Sequence, residues 1–384
     1  MASDPALIKK HAPILWVDKD EAFLPEHCSV MEDIAELVRE DDPATRRRFK
    51  IEELGRLRNS DKYYMDIPGL DYENFGVHIP GYQGARIGPE AIADYLNRTY
   101  GNNPQTPGPA GGGPARDAKP RFFARSRRLR ILKENCTRDK TIARLRPDAF
   151  GNYDVIEYFF FYLFNESWNL HIGDWDSTLR LFLNSETGAA FMLFHAHHVV
   201  GIAEFNKSPR DLGSWLADWN QREHQKRLSP VFQVGSHPFV FVARGAHGAY
   251  ATPGFSVHGA LDVVAQTDFR QIGNLCLCPA DEPQVRTGVR DALRQYRDVS
   301  GLTSMNWEEP LLLDDQPWLK YKGQWGSRSR YSGWEGPKTP RAACSAEVQD
   351  YLKSTLFNVL GNGEFYAGAD LRVFKIFKSW HGIR

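Results

Sequence analysis

The sequence predicts a mainly β protein, a β-sandwich core with accessory α-helices, α+β overall. Three observations lead there. From Asp154 to Phe164 both alternating faces are apolar, Val155/Phe159/Phe161/Leu163 on one and Ile156/Tyr158/Phe160/Phe164 on the other. A strand buried on both sides belongs at the centre of a packed structure. Thr178 to Leu183 then alternates, with Leu179, Leu181 and Leu183 on one face. Asn184 to Gly188 has hairpin chemistry, and Ala189 to Val200 returns as a strand. Finally, Val231 to Arg244 reads as two short strands around Gly235-Ser236-His237-Pro238, with a further turn at Thr252-Pro253-Gly254.

In chain order, Pro13 opposes a helix interior and Ile14-Leu15-Trp16-Val17 favours a strand. Ser29 is the expected N-cap of a helix over Val30 to Arg39, with apolar spacing at Val30, Ile34 and Leu37. Pro43 to Arg58 reads as a second, highly charged helix. Pro89 fits the first turn of another helix through Ala91, Ile92 and Leu96. Residues 1–100 are expected to belong to the same domain as the core. Residues 101–120, rich in Pro and Gly, read as a flexible loop, and residues 121–384 as the sandwich with a C-terminal extension. Arg121 to Arg130 carries five arginines among phenylalanines. It reads as a charge-protected edge strand, with phosphate binding as the alternative. Ala346 to Leu360 is expected to be helical, and Leu371 to Arg384 a final element packed on the core.

Composition excludes some function classes. The 384 residues are 42% hydrophobic and 25% charged, as in an ordinary globular protein. Lys plus Arg and Asp plus Glu both number 48, so net charge points to neither nucleic acid nor membrane, and no nucleic-acid partner is expected. No run has the apolar length of a transmembrane segment, and Met1 to Lys10 lacks a signal-peptide core. A cytoplasmic location, or one peripheral to endomembranes, is expected. Five scattered cysteines make a poor disulfide framework and suggest a reducing compartment. Cys276-x-Cys278 reads as two buried small residues. The G-x-S-x-G elbow, P-loop, H-E-x-x-H and dinucleotide fingerprint are all missing.

Chemistry converges on His171-Ile172-Gly173-Asp174-Trp175-Asp176. In an extended segment Asp174 and Asp176 share a face, and Trp175 points the other way, into the core. His171 reaches the same point across the turn at Gly173. With His195 or His197 from the return strand, these groups offer mixed oxygen and nitrogen ligands for a divalent cation. Calcium or magnesium suits such donors best, with zinc or manganese as alternatives. His247, Tyr250 and Glu157 are the further ligand-binding candidates. A carboxylate such as Glu157 in an apolar strand must be paired, coordinated or at an edge. The competing reading is structural: polar residues between strands often satisfy backbone groups.

Several separated motifs resemble the vacuolar protein sorting-associated protein 62 family. These are His11-Ala12-Pro13-Ile14-Leu15-Trp16 with Glu21 and Leu24-Pro25, and the aromatic strand Tyr158 to Asn165. They continue with His171-Ile172-Gly173-Asp174-Trp175-Asp176 followed by Thr178-Leu179-Arg180, and Ala246-His247-Gly248-Ala249-Tyr250 with Pro253-Gly254. Pro317-Trp318, Tyr321 and Trp325-Gly326 come last. The acidic motif is also distantly similar to the heptapeptide of the necrosis- and ethylene-inducing-like proteins, which hold a divalent cation and bind sphingolipid head groups. That likeness implies metal-proximal roles for His171, Asp174 and Asp176, with Gly173 where those proteins have a second histidine.

With no nucleophile, leaving-group acid or cofactor motif in the sequence, a non-enzymatic binding protein is expected, and the resemblance implies a role in vacuolar sorting or at endomembranes. It would recognise a lipid head group or glycan with help from a cation. Two other readings stay open. One is a metal-dependent hydrolase using His171, Asp174 and Asp176, with His195 or His247 assisting. The other is a module for a protein partner whose D-W-D motif is purely structural.

Overall fold

The structure is a computed structural model. It describes residues 3–17, 21, 23–67, 120–131, 151–165, 171–175, 178–186, 190–196, 199–207, 229–243, 245, 247–251, 254–258, 266–270, 275–279, 287–288, 303–326 and 339. Among these the chain is mainly β with short helices.

The N-terminus begins with a helix the sequence reading did not anticipate, α1 (Pro5–Lys10). Asp4 caps it, accepting from the backbone N–H groups of Ala6 and Leu7, and Pro5 stands in its first turn. Strand β1 (Ile14–Val17) follows, as expected. The expected helix from Val30 to Arg39 is shorter: α2 (Val30–Ile34) ends and β2 (Glu36–Arg39) begins. Leu37 and Val38 are both buried, a pattern that a strand with cover on both faces satisfies. Ser29 makes no side-chain cap. The expected charged helix from Pro43 to Arg58 is instead β3 (Asp42–Arg47), exposed at every position, and α3 (Ile51–Leu54). Together β2, β3 and β4 (Tyr63–Asp66) form a small sheet in the order β3-β2-β4.

The main sheet uses β5 (Phe123–Ile131), β6 (Gly151–Phe159), β9 (Thr178–Leu183), β10 (Ala190–Ala196), β11 (Val199–Lys207), β12 (Ser229–Val234) and β13 (His237–Val242). It also takes in β14 (Ala249–Tyr250), β17 (Leu275–Cys278), β18 (Thr303–Asn306) and β19 (Leu311–Leu312). Outside it lie two pairs: β7 (Tyr162–Asn165) with β8 (His171–Asp174), and β15 (Gly254–His258) with β16 (Gln266–Arg270). The strand order is β18-β17-β1-β13-β12-β11-β10-β9-β6-β5-β19, with β14 attached to β13. Strand β1 is therefore internal, parallel to β13 and antiparallel to β17.

This sheet doubles over itself and so makes the sandwich. Leu15 and Val17 of β1, Val240 and Val242 of β13 and Leu277 of β17 share one core with Ile156 and Tyr158 of β6, Leu179 and Leu181 of β9 and Met192 of β10. Each fully buried aliphatic side chain contributes about 1.5–3 kcal/mol. Two hydrogen bonds tie the N-terminal segment to this core: Tyr158 donates to the Ile8 carbonyl at 2.8 Å, and the Trp307 indole to that of Pro13 at 2.8 Å.

The aromatic strand behaves as its pattern predicts, with one break. Ile156, Tyr158, Phe160 and Tyr162 face the first core, while Phe159, Phe161 and Leu163 face a second core with α2, α3 and the small sheet; Phe164, expected on the face of Ile156, Tyr158 and Phe160, joins this second core instead. It is two strands, however. β6 ends at Phe159, and β7 starts at Tyr162 in another sheet. The return strand also divides, because β10 and β11 pair antiparallel with Ala196 opposite Val199. The arginine-rich stretch is β5, last but one in the sheet, covered by β19 only at Phe123 and Ala124. Cys276 and Cys278, expected as two small apolar residues, are buried and joined in a disulfide. Alternate residues of β17 share a face, which brings the two sulfurs together. The helices read near Ala91 and over Ala346 to Leu360, the tail from Leu371, and the loop 101–120 apart from Pro120 lie outside the described residues.

Among the described residues no helix is long and apolar enough to cross a membrane.

Candidate functional site

The acidic motif folds inward. β7 and β8 pair antiparallel, with Tyr162 opposite Asp174 and Asn165 opposite His171. Gly173 has a φ of +75°, the left-handed region, and a Cβ there would collide with the backbone and side chain of Trp325. Glycine is therefore the residue this position accepts. The next residue, Asp174, is fully buried. Its Oδ2 accepts from Asn165 Nδ2 at 3.3 Å and lies 3.1 Å from His247 Nδ1.

His247 is held from every side. Its φ is +54°, an uncommon conformation for a residue with a side chain. A tight turn fixes it: its N–H donates to the Ala243 carbonyl at 2.8 Å, and the Ala243 N–H donates to that of Gly248 at 2.9 Å. The imidazole stacks on the Tyr162 ring, centroids 4.0 Å apart and planes 3° from parallel. Its Nε2 lies 3.3 Å from Glu21 Oε1. Glu21 also accepts from the backbone N–H of Phe23 at 3.1 Å and of Gly245 at 2.7 Å. A carboxylate–imidazole–carboxylate chain thus joins three distant segments in a site without solvent exposure.

Electrostatics fix its charge state. Burial alone would push the His247 imidazole down, but the Glu21 charge and the hydrogen bonds to Asp174 and Glu21 outweigh it and raise the pKa to about 10. Burial likewise opposes ionisation of Glu21. The charge of His247 and the hydrogen bonds around the carboxylate outweigh that and hold it below its usual range. Both ring nitrogens of His247 are directed at carboxylates, and the raised pKa favours the imidazolium form, in which each N–H donates to one of them.

Trp175 points away from this chain of charges, as the alternation predicts. It packs against Phe161 at 4.9 Å, Trp318 at 5.1 Å, Trp325 at 5.4 Å and Phe123 at 5.5 Å between centroids. The Trp325 indole donates to Thr339 Oγ1 at 2.9 Å.

The other sequence candidates fall in different places. Glu157 is buried on β6 and taken up by two arginines: it pairs with Arg125 Nε and, at 2.7 Å, with Arg180 Nε. The register explains this, since Arg125 and Arg180 stand opposite Glu157 on the flanking strands. The two guanidinium charges lower its pKa against the desolvation that opposes ionisation. Tyr250 is buried in the first core, on β14 opposite Phe241. His195 occupies β10 opposite Val200, and His171 occupies β8 opposite Asn165. The side chains of both lie outside the described residues, as do Asp176 and His197 entirely.

Of the candidate cation ligands, Asp174 is directed at Asn165 and His247, and His247 in turn at Glu21. Among the described residues no group of three or more His, Cys, Asp or Glu side chains is arranged to hold a metal ion. Sequence reasoning passed over Glu21, Asn165 and Tyr162 as site residues. The available signal was the cost of burying a carboxylate in the run Glu21 to Pro25, which demands a cationic partner elsewhere in the chain.

Neither a family model, nor a curated protein, nor a solved structure matches this chain.

Proposed function

We propose that the protein is a non-enzymatic β-sandwich binding protein, in which Asp174 and Trp175 fasten the fold and the ligand is met elsewhere on its surface. One observation carries this reading: His247 is clamped as an imidazolium between Glu21 and Asp174, fully buried. A general acid or base needs at least one of these groups to face a substrate or water. The motifs behind the resemblance to the vacuolar protein sorting-associated protein 62 family supply both the clamp and the Trp175 cluster. Glu21 comes from the first, Asp174 and Trp175 from the central one, His247 from the fourth, Trp318 and Trp325 from the last. Their convergence supports reading them as one architecture, and with it a role in vacuolar sorting at endomembranes, with a lipid head group or glycan as ligand.

The test compares native protein with Asp174→Asn and His247→Gln variants, prepared without a metal-affinity tag. The expected result is a lower melting temperature for both variants and the same metal content in all three samples by elemental mass spectrometry. A variant that keeps its stability but loses stoichiometric metal, or loses a hydrolytic turnover that the native protein has, would return the site to the metal-dependent enzyme reading.

A further inference from the structure

The ladder that takes up Glu157 leaves buried donors over. Arg125, Glu157 and Arg180 are register partners on β5, β6 and β9. Arg125 is fully buried, with its guanidinium over the Phe159 ring at 5.7 Å. Its Nε is bonded to Glu157, but its Nη1 and Nη2 are buried and have no hydrogen-bond acceptor among the described residues. Two residues along the same face of β5, the buried Nε of Arg127 also has none. Besides Glu157, the carboxylate of Asp314 pairs with Arg127 and lies near Arg125. Leaving charged donors buried and unsatisfied is costly, and such groups call for an explanation.

Asp314 indicates what would complete the cluster. Its Oδ1 lies 3.2 Å from Arg127 Nη2 but 3.9 Å from Arg125 Nη1, beyond hydrogen-bond range, and its Oδ2 accepts from the Ser3 hydroxyl at 3.2 Å. Arg127 and Asp314 are 32% and 34% exposed, whereas Arg125 is 0% exposed. The cluster therefore meets solvent at the Asp314 end, and this one carboxylate only partly satisfies the forks behind it. A tetrahedral oxyanion offers more acceptors in the geometry that guanidinium groups match.

We propose that Arg125 and Arg127 form a phosphate-binding site that Asp314 covers in the ligand-free protein. A phosphate monoester displaces the Asp314 carboxylate, which swings into solvent. It accepts from the Nη groups of Arg125 and from Arg127, while Glu157 and Arg180 hold Arg125 in place. This rests on the binding-protein reading and gives it a ligand class. The phosphate is that of a lipid head group or of a soluble molecule.

The test is titration calorimetry of the full chain with inorganic phosphate, against chloride at equal ionic strength. It is paired with sedimentation on phosphatidylcholine vesicles with and without phosphatidylinositol 4-phosphate. Arg125 substitutions would strand Glu157, so the partly exposed positions are the probes. Native protein is expected to bind phosphate, Asp314→Asn about tenfold more tightly and Arg127→Gln about tenfold more weakly. Vesicle binding in the same rank order would assign the phosphate to a lipid; phosphate binding without vesicle binding would assign it to a soluble ligand and count against the membrane role. No phosphate binding by native protein and Asp314→Asn, or binding indifferent to both substitutions, would overturn the site. Phosphoinositide-vesicle binding that neither substitution changes would also overturn it, while leaving the binding-protein reading intact.

Discussion

His247 donates from both ring nitrogens to carboxylates that arrive from opposite directions. Removing either partner strands a buried charge, so Asp174→Asn and His247→Gln are each expected to destabilise the protein by about 3–5 kcal/mol in chemical denaturation. The clamp also sets a pH dependence. His247 is raised from 6.5 to about 10 on folding, so its contribution is complete below pH 6.5 and lost as pH rises through about 10. Glu21 is lowered from 4.5, so its contribution is complete above pH 4.5 and lost as pH falls through its folded value. Melting temperature against pH should therefore show an alkaline decline that His247→Gln flattens between 6.5 and 10. At Gly173, positive φ and the closeness of Trp325 combine, so Gly173→Ala is expected to cost at least about 1–3 kcal/mol. The inward turn of Trp175 was legible in the sequence, because neighbours on a strand alternate. The destination of Asp174 was not: its partner is His247, 73 residues away, and no local pattern encodes that pairing.

At the scale of elements, the strands that read most clearly are those whose burial fixes their faces. β6, β9 and β10 alternate or are apolar throughout, and their pairing follows. The misreadings lie where tertiary pairing overrides local spacing. Val30, Ile34 and Leu37 have helical spacing, yet Leu37 pairs opposite Met65 in a sheet. The charges of β3 suggest a solvated helix face and turn out to belong to an exposed edge strand. Glu157 obeys the rule that a carboxylate in an apolar strand must be paired, and only strand register identifies Arg125 and Arg180 as the partners. Glu157→Ala is accordingly expected to cost about 3–5 kcal/mol by leaving two buried guanidinium groups without their carboxylate. Arg128, 78% exposed and paired with Asp154, gives a contrast. Arg128→Ala should change stability by less than about 1 kcal/mol on the same denaturation curve.

For the whole molecule, the decisive feature is the position of β1. A strand from the first 17 residues lies between β13 and β17, and α1 and Pro13 accept hydrogen bonds from Tyr158 and Trp307. Deleting residues 1–17 would open two internal sheet edges and uncover the first core. The truncated chain is expected to be aggregated or unfolded by circular dichroism and gel filtration. Recovery of a folded monomer would contradict this account of the sheet. The sequence identified Ile14 to Val17 as a strand, but not its place in the order, which is set by contacts more than 220 residues away. The same long-range closure brings Glu21, Asp174 and His247 together, so fold and fastener form as one unit.

The central claim is that His247 is a buried imidazolium, and nitrogen NMR of its ring tests it most directly. The signals are assigned by their loss in His247→Gln and followed well above pH 6.5, the ordinary histidine value. The account predicts that both ring nitrogens remain protonated there, with no change on adding a metal chelator. A neutral imidazole at that pH, or a ring nitrogen whose shift responds to chelator, would contradict it.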